Sequence, residues 1–254
     1  MLDTIDLSKL FHRSSKNHTK GHPPIAKNSA EWPANWCTIE YKEYPRFEKI
    51  ALPNVPESRF MQAELAAVVN ERHSSHSFTG ESLALSQLST LLKYSCGIVR
   101  SEDGAKVHRA QPSGGGRYPL EVYPVVLAGN MDVPEGVYHY NVRRHALEVL
   151  WQRKFSESGL LSFFTYEWVR KASVAIIITA VFDRSQRKYG ERGYRYILLE
   201  AGHIGQNIHL VSQALSLGSC ALGGTHDKEL EVLLDIDGTT ESIVYGLIVG
   251  QCST

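Results

Sequence analysis

Three consecutive glycines, Gly114 to Gly116, stand inside the run Pro112-Ser113-Gly114-Gly115-Gly116-Arg117-Tyr118-Pro119-Leu120-Glu121-Val122-Tyr123. They strip every side chain from a short piece of backbone, so main-chain N–H and C=O groups can touch a flat or anionic ligand directly. Ser113 adds a hydroxyl at the same place. Tyr118-Pro119 closes the loop, and Leu120–Leu127 then reads as a buried strand. The order is glycine loop, then strand. A phosphate-binding P-loop or a dinucleotide fingerprint runs strand, glycine loop, helix. Neither Gly-Lys-Ser/Thr nor G-x-G-x-x-G occurs here, which removes the two commonest nucleotide folds. Taken alone, the triple glycine could equally be a plain flexible turn.

The rest of the chain alternates helix and strand signals. Strands are expected at Val137–Tyr140, Ala146–Leu150, Ala175–Val181, Ser219–Leu222 and Ile243–Val249, with Ala175–Val181 buried on both faces. Helices are expected over Leu7–Phe11, over Phe60–Val69 with Met61, Leu65 and Val68 on one face, and after Ser86, carrying Leu88, Leu91 and Leu92 to a stop at Gly97. Further helical stretches are expected around Leu160–Phe164 and over Glu229–Leu234, capped by Asp227. A long helix from about Tyr194 to Ser216 is apolar around most of its circumference and carries Gly202 and Gly205. Glycine inside a helix costs about 1 kcal/mol relative to alanine, so this pair suggests close approach of another backbone. Residues 1–57 are polar and proline-containing. They read as an arm over a domain or a partner subunit, with an edge strand at Thr38–Tyr41 and with Trp32, Trp36, Tyr41 and Tyr44 as packing groups. Residues 58–254 form the compact part.

Several function classes fall away. Formal net charge is zero over 254 residues, with no basic–aromatic run, so no nucleic-acid surface is expected. No apolar run approaches the ~20 residues of a membrane helix, and the first residues carry no signal-peptide pattern. Cys37, Cys96, Cys220 and Cys252 are far apart with no CxxC, and His203 and His209 lie on different sides of one helix. Neither a disulfide framework nor a metal site is expected, and the compartment reads as cytoplasmic.

Arg72, Ser74 and His76 alternate along an extended segment, so a guanidinium and a hydroxyl can project from one edge, as a phosphate would require. A solvated polar turn is the other reading. Lys188, amid Arg184, Arg187, Glu191, Arg192 and Arg195, could be one charge in a solvated patch.

Four blocks together resemble the flavin-dependent nitroreductase superfamily, and within it the SagB-type azoline dehydrogenases of thiazole/oxazole peptide biosynthesis. They are Arg72-His73-Ser74-Ser75-His76-Ser77-Phe78, the glycine loop, Lys188-Tyr189-Gly190-Glu191-Arg192-Gly193-Tyr194-Arg195-Tyr196, and Glu200-Ala201-Gly202-His203 running on to Leu222-Gly223-Gly224. The resemblance covers residues 65–251. It implies an α+β nitroreductase-like fold, with a central mixed or antiparallel sheet flanked by helices and a long central helix at a homodimer interface. It implies FMN held by Arg72, His73, Ser74, His76, Pro112, Ser113, Gly114, Gly115, Gly223 and Gly224, and a catalytic pair Lys188 and Tyr189. This chain has His73 and His76 where the family pattern has arginines. The implied reaction turns an azoline in a peptide or small heterocycle into an azole, and the implied partner is a cyclodehydratase. A general NAD(P)H-dependent nitro or quinone reductase and a non-catalytic flavin-bearing scaffold are the rivals.

Overall fold

Alternation along one strand sorts the whole molecule. In β7 (Val174–Val181), Val174, Ile176, Ile178 and Ala180 face one helical layer, while Ala175 and Ile177 face the other, as period-two side chains must. The computed structural model describes residues 6–16, 29–54, 62–102 and 106–252. Among them a seven-stranded antiparallel sheet has the order β1 (Lys49–Ala51), β6 (Ala146–Gln152), β5 (Gly136–Asn141), β4 (Leu120–Val126), β7, β9 (Glu241–Gly250), β8 (Gly218–Leu222). A separate hairpin joins β2 (Ile98–Glu102) and β3 (Lys106–Arg109). The fold is α+β, and the sheet is wholly antiparallel apart from one isolated parallel bridge, Ser74 to Ser219.

On one face lie α4 (Leu85–Cys96) and the long α7 (Arg192–Ala214), through Leu88, Leu91, Leu92, Ile197, Ala201, Ile204 and Ile208. The other face packs on α5 (Glu157–Leu161) and α8 (Asp227–Leu234) through Leu160, Phe164, Leu230, Leu233 and Leu234. Burying a leucine of this kind contributes about 1.5–3 kcal/mol, so the two layers outweigh any single polar contact.

The second face is apolar at one end of the strands only. At the other it carries Glu121, Tyr123, His139, Glu148 and Thr179, all buried. β4 pairs with β7 from Leu120 to Val126, but with β5 only at Val125 and Val126. Pro124, which lacks an N–H, marks where that second ladder stops. Across the resulting gap His139 bonds Glu121 at 3.0 Å and Glu148 at 2.9 Å. The arm covers this polar end. Lys42 Nζ donates to Glu241 at 2.6 Å and to Tyr123 Oη at 2.8 Å, and the Tyr44 N–H donates to Glu148 at 3.0 Å.

Several local expectations are corrected. The arm's edge strand is Lys49–Ala51, not Thr38–Tyr41, because β6 offers its open edge to the former. α4 starts after Ala84, whose N–H is taken by Gln87 Oε1 at 3.0 Å, so Ser86 is not the cap. Asp227 lies inside the first turn of α8 after His226, where its charge suits the helix dipole. The helical segment near Leu160 begins at Glu157 and ends at Leu161. In α3 (Leu65–Glu71) Val68 is buried, whereas Leu65 is exposed; Phe60 and Met61 lie outside the described residues. The first helix, α1, extends to Ser14.

Candidate active site

The glycine loop turns back on itself at Gly114–Gly116, with φ +66° at Gly115 and +64° at Gly116. Only glycine takes such angles without steric cost. Space imposes a second demand. A Cβ on Gly115 would stand 2.1 Å from Tyr189 Oη and 3.3 Å from Lys188 Nζ, and one on Gly114 would stand 3.3 Å from Tyr196. The Ser113 hydroxyl accepts the Tyr118 N–H at 2.8 Å and so closes the loop. The bare backbone is therefore the surface against which both residues of the Lys-Tyr pair converge.

Lys188 and Tyr189 end α6 (Asp183–Tyr189), which Gly190 terminates at φ +53°. Lys188 is 7% exposed, and its ammonium has no hydrogen-bond partner among the described residues. Aromatic faces surround it instead. Nζ lies 3.6 Å from the centroid of Trp32, 5.4 Å from that of Tyr189 and 6.0 Å from that of Trp36. Burial pushes the Lys188 pKa down, and the positive field of Arg117 adds to this. Burial pushes that of Tyr189 up. Lys188 is not one charge of a solvated patch, although Arg187 and Glu191 beside it are exposed. Arg184 is buried on Glu121 at 2.5 Å, Arg187 pairs with Glu40 at 2.8 Å, and Arg192 and Arg195 bond Ser15 beyond α1.

Three residues with roles here were not anticipated. Arg117, the loop's own arginine, is fully buried and donates to the carbonyls of Asn35, Trp36 and Arg184 at 2.8–2.9 Å. It thus ties the loop to the arm. Trp32 comes with that arm. Glu200 lies one turn beyond Tyr196 on α7, buried beside the loop, and accepts from Gln111 Nε2 at 3.2 Å. Burial raises its pKa to about 7 against the opposing pull of Ser113 and Gln111. A carboxylate on the sequence of a largely apolar helix was the available signal.

The remaining candidate residues gather elsewhere. The segment from Arg72 to Phe78 runs beside β8, with the Ser75 N–H on Ser219 O at 3.0 Å. Arg72 lies near His209, whose pKa falls through burial and then through that positive charge. His209 Nδ1 and Ser219 Oγ are 2.7 Å apart. His76 meets Cys220 Sγ at 3.3 Å and the Trp168 ring at 4.8 Å, while His73 is exposed near the Glu71 carbonyl. At the end of β8, Gly223 is open, whereas a Cβ on Gly224 would press on Tyr166 at 2.8 Å. The first and last blocks thus meet at one pole, and the glycine loop, with Pro112 at its entry, meets Lys188-Tyr189 at another. α7 separates them. His209 follows Tyr196 by thirteen residues, about 20 Å along a helix axis. Its outward face carries exposed Leu198 and Leu199, and Gly202 has nothing within 4 Å. Gly205 accommodates the Tyr245 ring, not another backbone. No helix among the described residues is long and apolar enough to cross a membrane.

Sequence relatives share this region. The MJ1384 protein of Methanocaldococcus jannaschii, named as a nitroreductase, is 32% identical over 188 residues, 74% of this chain and 90% of the relative. The trifolitoxin-processing protein TfxB of Rhizobium leguminosarum bv. trifolii is 31% identical over 66% of this chain and 47% of its own length. The microcin B17-processing protein McbC of Escherichia coli is 31% identical over 66% of each. Among solved structures, a nitroreductase-like protein from Anabaena variabilis superposes with TM-score 0.69 at 27% identity, over 96% of this chain and 46% of that one. A chain of the E. coli microcin synthetase McbBCD complex with truncated pro-MccB17 superposes at 0.63 with 22% identity, over 98% and 92%. A Desulfovibrio desulfuricans protein solved with FMN superposes at 0.52 with 18% identity, over 76% and 88%; these last two likenesses speak to the fold alone. The nitroreductase family pattern itself matches residues 69–251, which span both poles and the helix between them, so the chain belongs to the nitroreductase family.

Proposed function

We propose that this chain is an FMN-dependent dehydrogenase of the SagB type, which oxidises an azoline in a modified peptide to the azole. The observation that carries the reading is the Lys188 amine: buried, without a hydrogen-bond acceptor among the described residues, and held against the bare backbone of Gly115 beside Tyr189. The residues present suit the cofactor. Gly114 and Gly115 offer a flat surface free of side chains, and Gly223 offers open backbone beside the Arg72–Ser74 segment, whose guanidinium and hydroxyl suit a phosphate. Bound FMN supplies the two-electron acceptor for the hydrogen that leaves carbon with its electron pair. Lys188, in its neutral form, takes the other hydrogen as a proton from the ring. A lysine whose pKa is depressed toward neutrality suits general-base work. Tyr189 orients the heterocycle, and burial keeps its hydroxyl protonated at neutral pH.

Two poles about 20 Å apart on one helix do not form a single flavin site within one chain. The outward Leu198, Leu199 and Gly202 of α7 therefore face a second copy, whose Arg72 pole completes the site at this chain's glycine loop. McbC, a relative, acts in microcin processing, and a cyclodehydratase neighbour fits the same reading. The test is a FMN-loaded preparation given a thiazoline-bearing peptide, with loss of two hydrogens followed by mass spectrometry. Lys188→Ala is expected to keep flavin and lose about a hundredfold or more in rate. Full activity in that variant would end the assignment, and turnover of nitro compounds with NADH but not of azolines would favour a general reductase.

A further inference from the structure

The contact that most tightly defines Lys188 comes from outside the glycine loop. Trp32 belongs to the arm, yet its ring centroid lies 3.6 Å from Nζ, closer than either Tyr189 or Trp36. The arm is pinned around this point. Arg117 holds the carbonyls of Asn35 and Trp36 at 2.9 and 2.8 Å, and Arg187 holds Glu40 at 2.8 Å. A buried ammonium needs an acceptor or a compensating field. Here the negative face of an indole is what it meets, and that face favours the charged form.

We propose that Trp32 is a positioning residue of the active site, which lays its indole face on the Lys188 amine and holds that amine against the glycine loop. The proposal rests on the reading of Lys188 as the base. The groups facing the amine are Tyr189 from α6, Arg117 from the glycine loop, and Cys37 with the two tryptophans from the arm. Arg117 and burial favour the neutral amine; Cys37 and the indole oppose them. Trp32 thus keeps Lys188 in place and favours its charged form, while burial and Arg117 pull the other way and ease loss of the proton.

The test reads the amine itself and needs no substrate. The full FMN-loaded protein is pulsed with an amine-acylating reagent across a pH series, and acylation of Lys188 is quantified by mass spectrometry. The midpoint reports the charge of the amine, whereas the plateau reports access to it. Trp32→Leu keeps apolar bulk and removes the π face. Its midpoint is expected to fall, raising the neutral fraction at pH values well below that midpoint about five- to thirtyfold, while Trp32→Phe stays near the parent. Incorporation of fluorinated tryptophan changes the ring's field with almost no change in volume, so it keeps the test open should Trp32→Leu not fold. The midpoint should then fall stepwise with fluorine number. Identical midpoints in the parent, Trp32→Leu and fluorinated proteins would overturn the proposal. If Lys188→Ala instead stays active on azolines, the base assignment fails while the acylation result stands.

Discussion

Two buried charge sites lie under the same arm and are built on opposite plans. Around His139 every carboxylate oxygen has a donor. Glu121 receives His139 and Arg184, Glu148 receives His139, Asn141 and the Tyr44 N–H, and Glu241 receives Lys42, Tyr123 and Thr179. Around Lys188 the ammonium has ring faces and, among the described residues, no acceptor. Burial penalises charge at both sites. At Glu121 burial alone would raise the pKa, but the hydrogen bond from His139 and the field of Arg184 prevail and hold it at about 2. At Lys188 burial prevails and lowers it. A satisfied cluster fixes the arm on the sheet; at the amine, burial is left uncompensated and favours the neutral form.

The sharpest way to break this contrast is His139→Leu, which strands two buried carboxylates. A loss of about 3–5 kcal/mol is expected, read by denaturant unfolding; a loss below about 1 kcal/mol would mean that the cluster is not structural. The pH dependence has two limbs. His139 has a raised folded pKa, so its contribution is full below the unfolded value near 6.5 and fades as pH rises through the folded one. Glu121, with its pKa lowered to about 2, contributes fully above about 4.5 and fades as pH falls toward 2. The parent should therefore gain most from this cluster between about pH 4.5 and 6.5, and the variant's profile should be flatter.

Glu200 stands between the two plans, with one amide donor and a pKa raised from 4.5 to about 7. Its favourable balance is complete below pH 4.5 and lost as pH rises through 7. Glu200→Gln should be more stable than the parent at pH 8 by up to about 3 kcal/mol, with no gain at pH 4.5. Equal melting differences at both pH values would show that folding does not raise the Glu200 pKa. The smallest effect is expected at Lys188→Met, which removes an unpaired buried charge and keeps its length. Stability should stay level or rise by about 1 kcal/mol while azoline oxidation disappears. A clear loss of stability would place Lys188 with the structural charges.

The sequence made the layers legible where physics was local. Val174–Val181 and the long α7 declare themselves through unbroken apolar runs. The edge strand Lys49–Ala51 does not, because three residues of mixed character become a strand only through the edge of β6. At the site, the glycine loop and Lys188-Tyr189 stood out as motifs. The parts that depend on distant pairing stayed hidden. Trp32 stands out in the sequence only as an aromatic that has to pack somewhere, and nothing in the sequence marks Arg117 as a clamp on carbonyls some eighty residues away. His76 was expected to face phosphate, and its neighbours here are Cys220 and Trp168, a pairing no linear spacing announces.

The place of β9 has a consequence for how the chain is made. This strand, Glu241–Gly250, lies between β7 and β8 and supplies the second ladder of β7 and the only strand ladder of β8 among the described residues. Until it leaves the ribosome, the most apolar strand in the protein has one flank of unpaired backbone, and β8 has no neighbour in the sheet. The nascent chain is therefore most prone to stick to others just before residue 250 appears. Stalled or truncated translation in that interval would yield an open sheet at its centre, a species for chaperones and proteases, whereas loss of β1 would only shorten one rim.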